Sequence, residues 1–210
     1  MANEKVIVFQ GDSVTDCGRN YKDPYELGKG YAMIAASLLA ASDTDTSYTF
    51  YNRGISGNRV KDLRARWEED CIALKPDVVS ILIGINDCWR RYDQNDPTST
   101  EQFESGYREL LEHTKQTGAE ILLLEPFVLP YPVDREAWRE DLDPKIQVVR
   151  KLAREFQAPL VPLDGLFASK LYDKPAPFWA EDGVHPTYAG HAIIAKAWRD
   201  AYQKLENRAD

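Results

Sequence analysis

The chain has 210 residues, 43% of them hydrophobic and 29% charged, with a formal net charge of −8. This composition is typical of a globular protein long enough for one domain, which we expect to span residues 1–210. The acidic balance argues against a nucleic-acid partner, which needs a basic face. The sequence also lacks the run of roughly 20 apolar residues that a membrane-spanning helix requires, so we expect no membrane partner.

The cysteines indicate neither a disulfide framework nor a metal site. Cys17, Cys71 and Cys88 are odd in number and lack the spacing of metal ligands, so we expect reduced thiols that act as small packing residues. No metal or other cofactor is predicted. The first residues lead directly into an apolar run without the pattern of a signal peptide, and we therefore expect a cytoplasmic protein.

Short apolar runs alternate with amphipathic segments along the chain. The apolar runs predict strands near 5–10, 48–52, 77–83, 119–125 and 159–163, and the periodic segments predict helices near 30–41, 59–74, 100–117, 135–157 and 187–206. Strands that alternate with helices form βαβ units, so we expect an α/β fold with a mostly parallel sheet covered on both faces. The segments 87–99 and 126–134 are predicted as loops at the carboxyl edge of the sheet.

Four polar motifs follow a predicted strand or precede a predicted helix. They are Gly11-Asp12-Ser13, Asn52-Arg53-Gly54-Ile55-Ser56-Gly57-Asn58, Gly84-Ile85-Asn86-Asp87 and Asp182-Gly183-Val184-His185-Pro186. Because the carboxyl ends of parallel strands share one edge of a sheet, loops far apart in sequence can build one site there. Taken singly, each motif could be no more than a turn or a helix N-terminus.

Together, the motifs contain the groups that acyl transfer by a serine requires. Ser13 is the candidate nucleophile, and His185 is the candidate base. Asp182 lies three residues before the histidine and can reach the imidazole to orient it. The two other histidines fall within predicted helices. We expect His113 to be a surface or packing residue and His191 to make a helix–loop contact.

Donors for an oxyanion are also present in these motifs. The backbone N–H groups of Ser13 and Gly57 and the side-chain amide of Asn86 are the candidates. Asp12 and Asp87 stand next to candidate residues, and we expect them to tie the loops together rather than to react. The chain has no GxSxG motif, so the arrangement differs from that of the α/β-hydrolases.

The four motifs, in this order and spacing, resemble the four sequence blocks of the GDSL, or SGNH, hydrolase family, with valine in place of the leucine of Gly-Asp-Ser-Leu. The resemblance runs from residue 6 to about residue 191. It implies a flavodoxin-like three-layer α/β/α sandwich with five parallel strands, metal-independent ester hydrolysis, and a triad of Ser13, Asp182 and His185. The residues that flank the motifs look like those of the bacterial intracellular acetylxylan esterases of this family. That likeness implies removal of acetyl groups from xylo-oligosaccharides and assembly into a homo-oligomer.

Substrate contacts are predicted at residues within and around the motifs: Asp12, Tyr31, Arg59, Trp89, Arg90 and Trp179. Aromatic faces suit a sugar ring and arginines can hydrogen-bond its hydroxyls, but the same side chains could serve packing or ion pairs. Three hypotheses therefore stay open. They are a carbohydrate acetylesterase, a general short-chain acyl esterase, thioesterase or lysophospholipase-like enzyme, and a non-catalytic binding module on the same fold. The expected partner is an acetylated sugar or another short-acyl ester.

Overall fold

The central sheet contains five parallel strands. A computed structural model describes residues 3–207, in which the strands are β1 (Asn3–Gly11), β2 (Thr46–Asn52), β3 (Val78–Leu82), β4 (Glu120–Leu124) and β5 (Leu160–Val161). Their order across the sheet is β2-β1-β3-β4-β5, and each neighbouring pair is parallel. This is the flavodoxin-like doubly wound order, so the predicted fold class is confirmed. Residues 1, 2 and 208–210 lie outside the described residues, and the single domain over 1–210 stays a prediction.

Helices connect the strands and cover the sheet. They are α1 (Ser13–Asp16), α2 (Tyr31–Ser42), α3 (Val60–Asp70), α4 (Ile85–Asp93), α5 (Thr100–Gln116), α6 (Arg139–Glu155), α7 (Leu163–Lys170), α8 (Ala176–Trp179) and α9 (Tyr188–Glu206). Short 3₁₀ turns lie at Ile72–Leu74 and Val133–Trp138. In residues 3–207, none of these helices combines the length and apolar character that crossing a membrane would take.

Side chains along each strand alternate between two apolar layers. Ile7 and Phe9 of β1 belong to a buried cluster with α2, α7 and α9, whereas Val8 belongs to a second cluster with α3, α5 and α6. Leu122 and Leu123 of β4 divide between the two clusters in the same way. Because successive strand residues point to opposite faces, a strand that is apolar throughout must be covered on both sides. The three layers follow from this alternation.

A third and smaller apolar cluster lies beside the carboxyl edge of the sheet. We call it the edge cluster, and it consists of Ile85, Cys88, Val128, Trp138, Leu142, Ile146 and Val184, with Trp89 packed against it. Ile85 directly precedes Asn86, and Val184 directly precedes His185. The edge cluster therefore supports two of the polar motifs through residues adjacent to them in the chain.

The structure contains four helices that were not predicted: α1 and α8, which are four residues long, and the longer α4 and α7. The first half of the predicted loop 87–99 is helical, because Ile85, Cys88 and Trp89 have the spacing of one helix face and pack in the edge cluster. Helix α7 was not predicted, since the predicted strand 159–163 ran past the true end of β5. Leu163 and Phe167, four residues apart, are both fully buried and anchor α7.

Trp198 is the largest side chain with less than 2% exposure, and we expect its removal to destabilise the fold strongly. Its ring contacts Phe9 and Tyr202, and its Nε1 donates to Ser80 Oγ at 2.9 Å. Trp198→Ala should lower the free energy of unfolding by about 3–5 kcal/mol, since it leaves a cavity in the core. Tyr172→Ala, at a side chain 96% exposed, should change it by less than about 0.5 kcal/mol. Urea unfolding of both variants checks the difference, and equal values would contradict it.

Candidate active site

The candidate nucleophile lies on a tight turn at the end of the central strand β1. A Cβ at Gly11 would collide with the Thr15 side chain and the Leu82 carbonyl, so the turn requires glycine. Asp12 caps α1 by accepting the Val14 N–H at 3.0 Å and is only 1% exposed. This burial corrects its predicted substrate contact and agrees with the expectation that it ties the turn together.

Burial raises the pKa of Asp12 to about 7, although the Val14 N–H and the nearby His185 act in the opposite direction. The carboxyl therefore changes charge near neutral pH, one residue away from Ser13. Such a group influences its neighbours electrostatically in the pH range in which a histidine base also titrates.

Ser13, His185 and Asp182 form a continuous line of hydrogen bonds. Ser13 Oγ lies 2.9 Å from His185 Nε2, and His185 Nδ1 lies 2.8 Å from Asp182 Oδ2. A carboxylate can only accept, so Nδ1 carries the proton and Nε2 of the neutral ring accepts from the serine hydroxyl. The other oxygen, Asp182 Oδ1, accepts the N–H groups of Val184 at 3.0 Å and His185 at 2.8 Å. The three residues that were predicted to act together are brought together.

The turn between the acid and the base depends on Gly183. Its φ is +83°, and a Cβ there would collide with the Tyr131 and Leu129 carbonyls. The Leu129 N–H donates to the Gly183 carbonyl at 2.8 Å, so the turn is also held from outside. The three-residue spacing thus closes into a loop in which Asp182 faces the imidazole.

The two titratable members of this line shift each other's pKa. The hydrogen bond that His185 donates to Asp182 raises the pKa of His185 above its usual value, while partial burial and the positive charge of Arg135 oppose the rise. Burial alone would raise the pKa of Asp182, but hydrogen bonds from His185 and Val184 lower it below its usual value. Both side chains remain partly exposed, at 44% for His185 and 37% for Asp182, so solvent and a ligand can reach them.

The loop that carries Gly57 is fixed to the nucleophile turn. Asn52 Nδ2 donates to the Thr15 carbonyl at 2.7 Å. Asp16 Oδ2 accepts the N–H and the hydroxyl of Ser56 at 3.0 and 2.8 Å. These bonds hold the residue just before Gly57 against α1, and hence against the turn that carries Ser13.

The amide of Asn86 is held from both ends. Its Nδ2 donates to the Asn58 carbonyl at 3.1 Å, and its Oδ1 accepts from Arg90 Nη2 at 3.3 Å. The first bond links α4 to the loop of Gly57, and the second fixes which end of the amide is the donor. Arg90 is itself paired with Asp93. Its predicted substrate contact stays a prediction, but orienting Asn86 is its evident structural role.

Two predicted substrate residues are not at the site, which corrects those predictions. Tyr31 has no exposed surface, and its hydroxyl lies 3.0 Å from Thr15 Oγ1 beneath the nucleophile turn. Trp179 is 8% exposed and belongs to the core cluster with α9. Its Nε1 donates to the carbonyls of Lys170 and Lys174. Packing with other elements buries both side chains, which places them in the core rather than on a surface for a ligand.

The remaining two predicted substrate residues differ in position. Trp89 is half-buried, and its ring centroid lies 5.9 Å from that of His185. Arg59 pairs with Asp96 at 2.8 Å and, with the buried Asp87, lines a cavity of about 270 Å³. The substrate contacts of both residues stay predictions.

Sequence reasoning missed Arg135, which the structure places at the site. Its guanidinium carbon lies 4.0 Å from the Trp138 ring centroid and 5.1 Å from the Trp89 ring centroid. Its Nε donates to the Asp182 carbonyl at 3.4 Å. The two partners 135 and 182 are 47 residues apart, and no local pattern in the sequence connects them.

His191 makes the helix–loop contact that was predicted for it. Its Nδ1 accepts the Tyr31 N–H at 3.1 Å, and its Nε2 lies 3.3 Å from Cys17 Sγ. Burial lowers the pKa of His191 to about 4, so the ring is neutral at physiological pH.

Cys17, Cys71 and Cys88 are free thiols. Over residues 3–207, no group of three or more His, Cys, Asp and Glu side chains has the arrangement of a metal site.

Comparisons with known proteins agree on one family. The model of the GDSL-like lipase/acylhydrolase family matches residues 9–193. An acetylxylan esterase from Geobacillus stearothermophilus is 38% identical over 200 residues, which cover 91% of each chain. A crystal structure of that esterase superposes with a TM-score of 0.86 at 37% identity, over 95% of each chain. A Parabacteroides merdae protein described as a GDSL-like lipase superposes with a TM-score of 0.92 at 38% identity, over 97% of each chain.

Mutant structures of the Geobacillus esterase bear on the site. Catalytic mutants of that protein have a serine, an aspartate or a histidine replaced by alanine. The aspartate lies three residues before the histidine, which is the spacing of Asp182 and His185 here.

The pKa of His185 predicts an acid limb in the pH dependence of the reaction. Only the neutral imidazole can accept a proton, so kcat/KM should fall as the pH decreases through the pKa of His185. Because that pKa is raised, the midpoint should lie above pH 6.5 with an aryl acetate as substrate. Asp12→Asn removes a carboxyl that favours the imidazolium wherever it is ionised, so the variant should move the midpoint to lower pH. A rate that stays constant down to about pH 4 would exclude His185 as the base.

The position of Asn86 predicts a role in stabilising the transition state. Asn86→Ala should lower kcat by about 100- to 1000-fold with little change in KM, as is typical of a lost oxyanion donor. Arg90→Met should give a smaller fall, since the amide would remain but lose its fixed orientation. Arg91→Gln is the matched control, because Arg91 pairs with Glu140 and Asp141. Steady-state kinetics on an aryl acetate measure all three. An unchanged kcat for Asn86→Ala would rule out its role as a donor.

Proposed function

The chain belongs to the GDSL-like lipase/acylhydrolase family, and from this membership and the geometry of the site we propose a serine esterase that removes acetyl groups from acetylated xylo-oligosaccharides. The observation that carries the proposal is the line of hydrogen bonds from Ser13 through His185 to Asp182. An imidazole in this position can take a proton from the serine and later return one to a leaving group.

In the first half of the proposed cycle, Ser13 Oγ attacks the carbonyl carbon of the ester while its proton moves to His185 Nε2. Asp182 keeps its charge and stabilises the imidazolium through Nδ1–H. The N–H groups of Ser13 and Gly57 and the amide of Asn86 are the proposed donors to the oxyanion. The carbon–oxygen bond to the sugar then breaks, and His185 protonates the departing alcohol.

In the second half, water hydrolyses the acetyl-serine. His185 Nε2 accepts a proton from the water as its oxygen attacks the acyl carbon, and the resulting oxyanion occupies the same donors. The bond to Ser13 Oγ breaks as His185 returns the proton to it. Acetate leaves and the enzyme returns to its starting state, so no cofactor is consumed.

The surroundings of the triad support an acetylated sugar as substrate. His185 and Asp182 are partly exposed, so a bulky alcohol can approach without a change in the fold. We propose that the half-buried ring of Trp89, beside His185, is a stacking surface for a sugar ring. The Geobacillus relative, whose name specifies acetylxylan, is 38% identical over 91% of the chain, which favours the same class of ester.

A broader acyl hydrolase is the second candidate. The family description covers lipases and acylhydrolases. The exposed side chains of Tyr131 and Val133 lie on the segment that packs against Gly183, where they could contact a longer acyl chain. A thioesterase or lysophospholipase-like activity would use the same triad, so the acyl length and the leaving group distinguish the two candidates.

We also propose a single-domain, cytoplasmic homo-oligomer without a nucleic-acid or membrane partner. The net charge of −8 argues against a nucleic-acid partner, and the three free thiols are typical of a reducing compartment such as the cytoplasm. Exposed aromatic side chains such as Tyr172, Phe178 and Tyr188 are available for an interface between subunits.

The proposed function is tested by following deacetylation with NMR on a mixture of acetylated xylo-oligosaccharides. We expect acetate release, and a higher kcat/KM than on butyryl, octanoyl and thioester substrates. Ser13→Ala should fold normally and lose on the order of 10⁶-fold in kcat. Preference for octanoyl or thioester substrates would favour the broader hydrolase. Failure of an organophosphonate to label Ser13, together with no turnover of any ester, would indicate a binding module.

A further inference from the structure

Arg135 contacts both the Asp182–His185 loop and two aromatic rings. Its side chain is 13% exposed and extends from the 3₁₀ turn Val133–Trp138. On one side Nε donates to the Asp182 carbonyl at 3.4 Å. On the other side the guanidinium lies over the rings of Trp138 and Trp89, at 4.0 and 5.1 Å from their centroids. Nη1 pairs with the exposed Asp134 at 2.7 Å.

The rings under the guanidinium form one wall of the site. Trp89 and Trp138 pack with centroids 5.1 Å apart, and the Trp89 ring lies 5.9 Å from the His185 ring. Trp138 belongs to the edge cluster, which also contains Val184 between the acid and the base. The planar guanidinium of an arginine can stack on a ring and donate to a carbonyl at the same time, which an ammonium group does less well.

We propose that Arg135 is a positioning residue for the triad: it joins the Asp182 carbonyl to the Trp89–Trp138 wall and places a fixed positive charge beside His185. The kinetic consequences of this proposal rest on the proposed esterase function, whereas its structural and electrostatic consequences do not.

The charge of Arg135 matters because the other groups around His185 are mostly carboxylates. Asp182 faces the ring from its own loop and Asp12 from the cap of α1, and both favour the imidazolium. Arg135 opposes them from the 3₁₀ turn, and the neutral His191 lies on α9. Without Arg135 the imidazole would stay protonated to a higher pH, and fewer molecules would hold a free base near neutral pH.

The test separates position from charge with two variants of one residue. Arg135→Lys keeps the charge but loses the stacked plane, whereas Arg135→Gln loses both. Arg154→Gln is the control, since it removes the same charge from an exposed site on α6. NMR titration of the imidazole protons reads the pKa of His185 without a substrate. The chain has only three histidines, so few imidazole signals must be assigned.

We expect Arg135→Gln to raise the pKa of His185, because the variant removes the positive charge that opposes the imidazolium. The acid limb of kcat/KM should shift to higher pH by the same amount. Arg135→Lys should leave the pKa close to that of the parent but lower kcat by roughly tenfold, because the imidazole is less well oriented. Arg154→Gln should change neither quantity.

Two results would overturn the proposal. A His185 pKa in Arg135→Gln equal to that in Arg154→Gln would show that the charge has no effect on the base. A full kcat in Arg135→Lys would show that the stacked geometry is unnecessary, and this variant decides the point even if Arg135→Gln does not fold. Should the parent protein hydrolyse no ester, the proposed function would fail, while the titration would still report on Arg135.

Discussion

One hydrogen bond, between Ser13 Oγ and His185 Nε2, joins residues 172 positions apart and depends on the whole fold. Ser13 follows the central strand β1, whose neighbours β2 and β3 lead into the loop of Gly57 and into helix α4, which carries Asn86. Because all three strands are parallel, their carboxyl ends meet at one edge. His185 reaches that edge from the other end of the chain, just before α9. That helix packs on β1, where the Trp198 and Phe9 rings lie 5.2 Å apart. The core contact therefore places the base beside the nucleophile.

Burial divides the polar residues at this edge into two groups. Asp12, Asp16 and Asn86 are at most 3% exposed, and all three hydrogen-bond to backbone groups of the surrounding turns. A buried polar group needs such partners, because water cannot reach it. Asp12 and Asp16 consequently hold the loops, whereas Asn86 both links α4 to the loop of Gly57 and is the proposed oxyanion donor. The more exposed Asp182 and His185 are left to meet an ester and a water molecule. The charges around His185 are also opposed to one another. The carboxylates of Asp12 and Asp182 favour a protonated imidazole, and the positive charge of Arg135, which is stacked on aromatic rings, disfavours it.

Much of this arrangement was predictable from local patterns. The inner strands β1, β3 and β4 were found because continuous apolar runs are typical of strands buried on both faces. The polar motifs were found because they stand where those runs end, and the three-residue spacing of Asp182 and His185 suffices for their contact once Gly183 turns the chain. Helix α4 was missed because the segment 87–99 is rich in polar residues, which are typical of a loop. The contacts of Arg135 were missed because its partners lie 46 and 47 residues away on either side, at Trp89 and Asp182.

The sequence by itself determined which chemical groups are present, in what order they occur and at the end of which element each one stands. These properties depend on neighbouring residues only, through side-chain periodicity and turn geometry.

The tertiary structure decided which of those groups meet and which are buried. Tyr31 and Trp179 are aromatic residues close to the motifs in sequence, yet packing of the helices removes both from the site. Arg135 carries no signal in its own segment, yet the fold places it against the Asp182 carbonyl and over the ring of Trp89. Contacts between distant segments depend on how whole elements pack, and no local pattern specifies that.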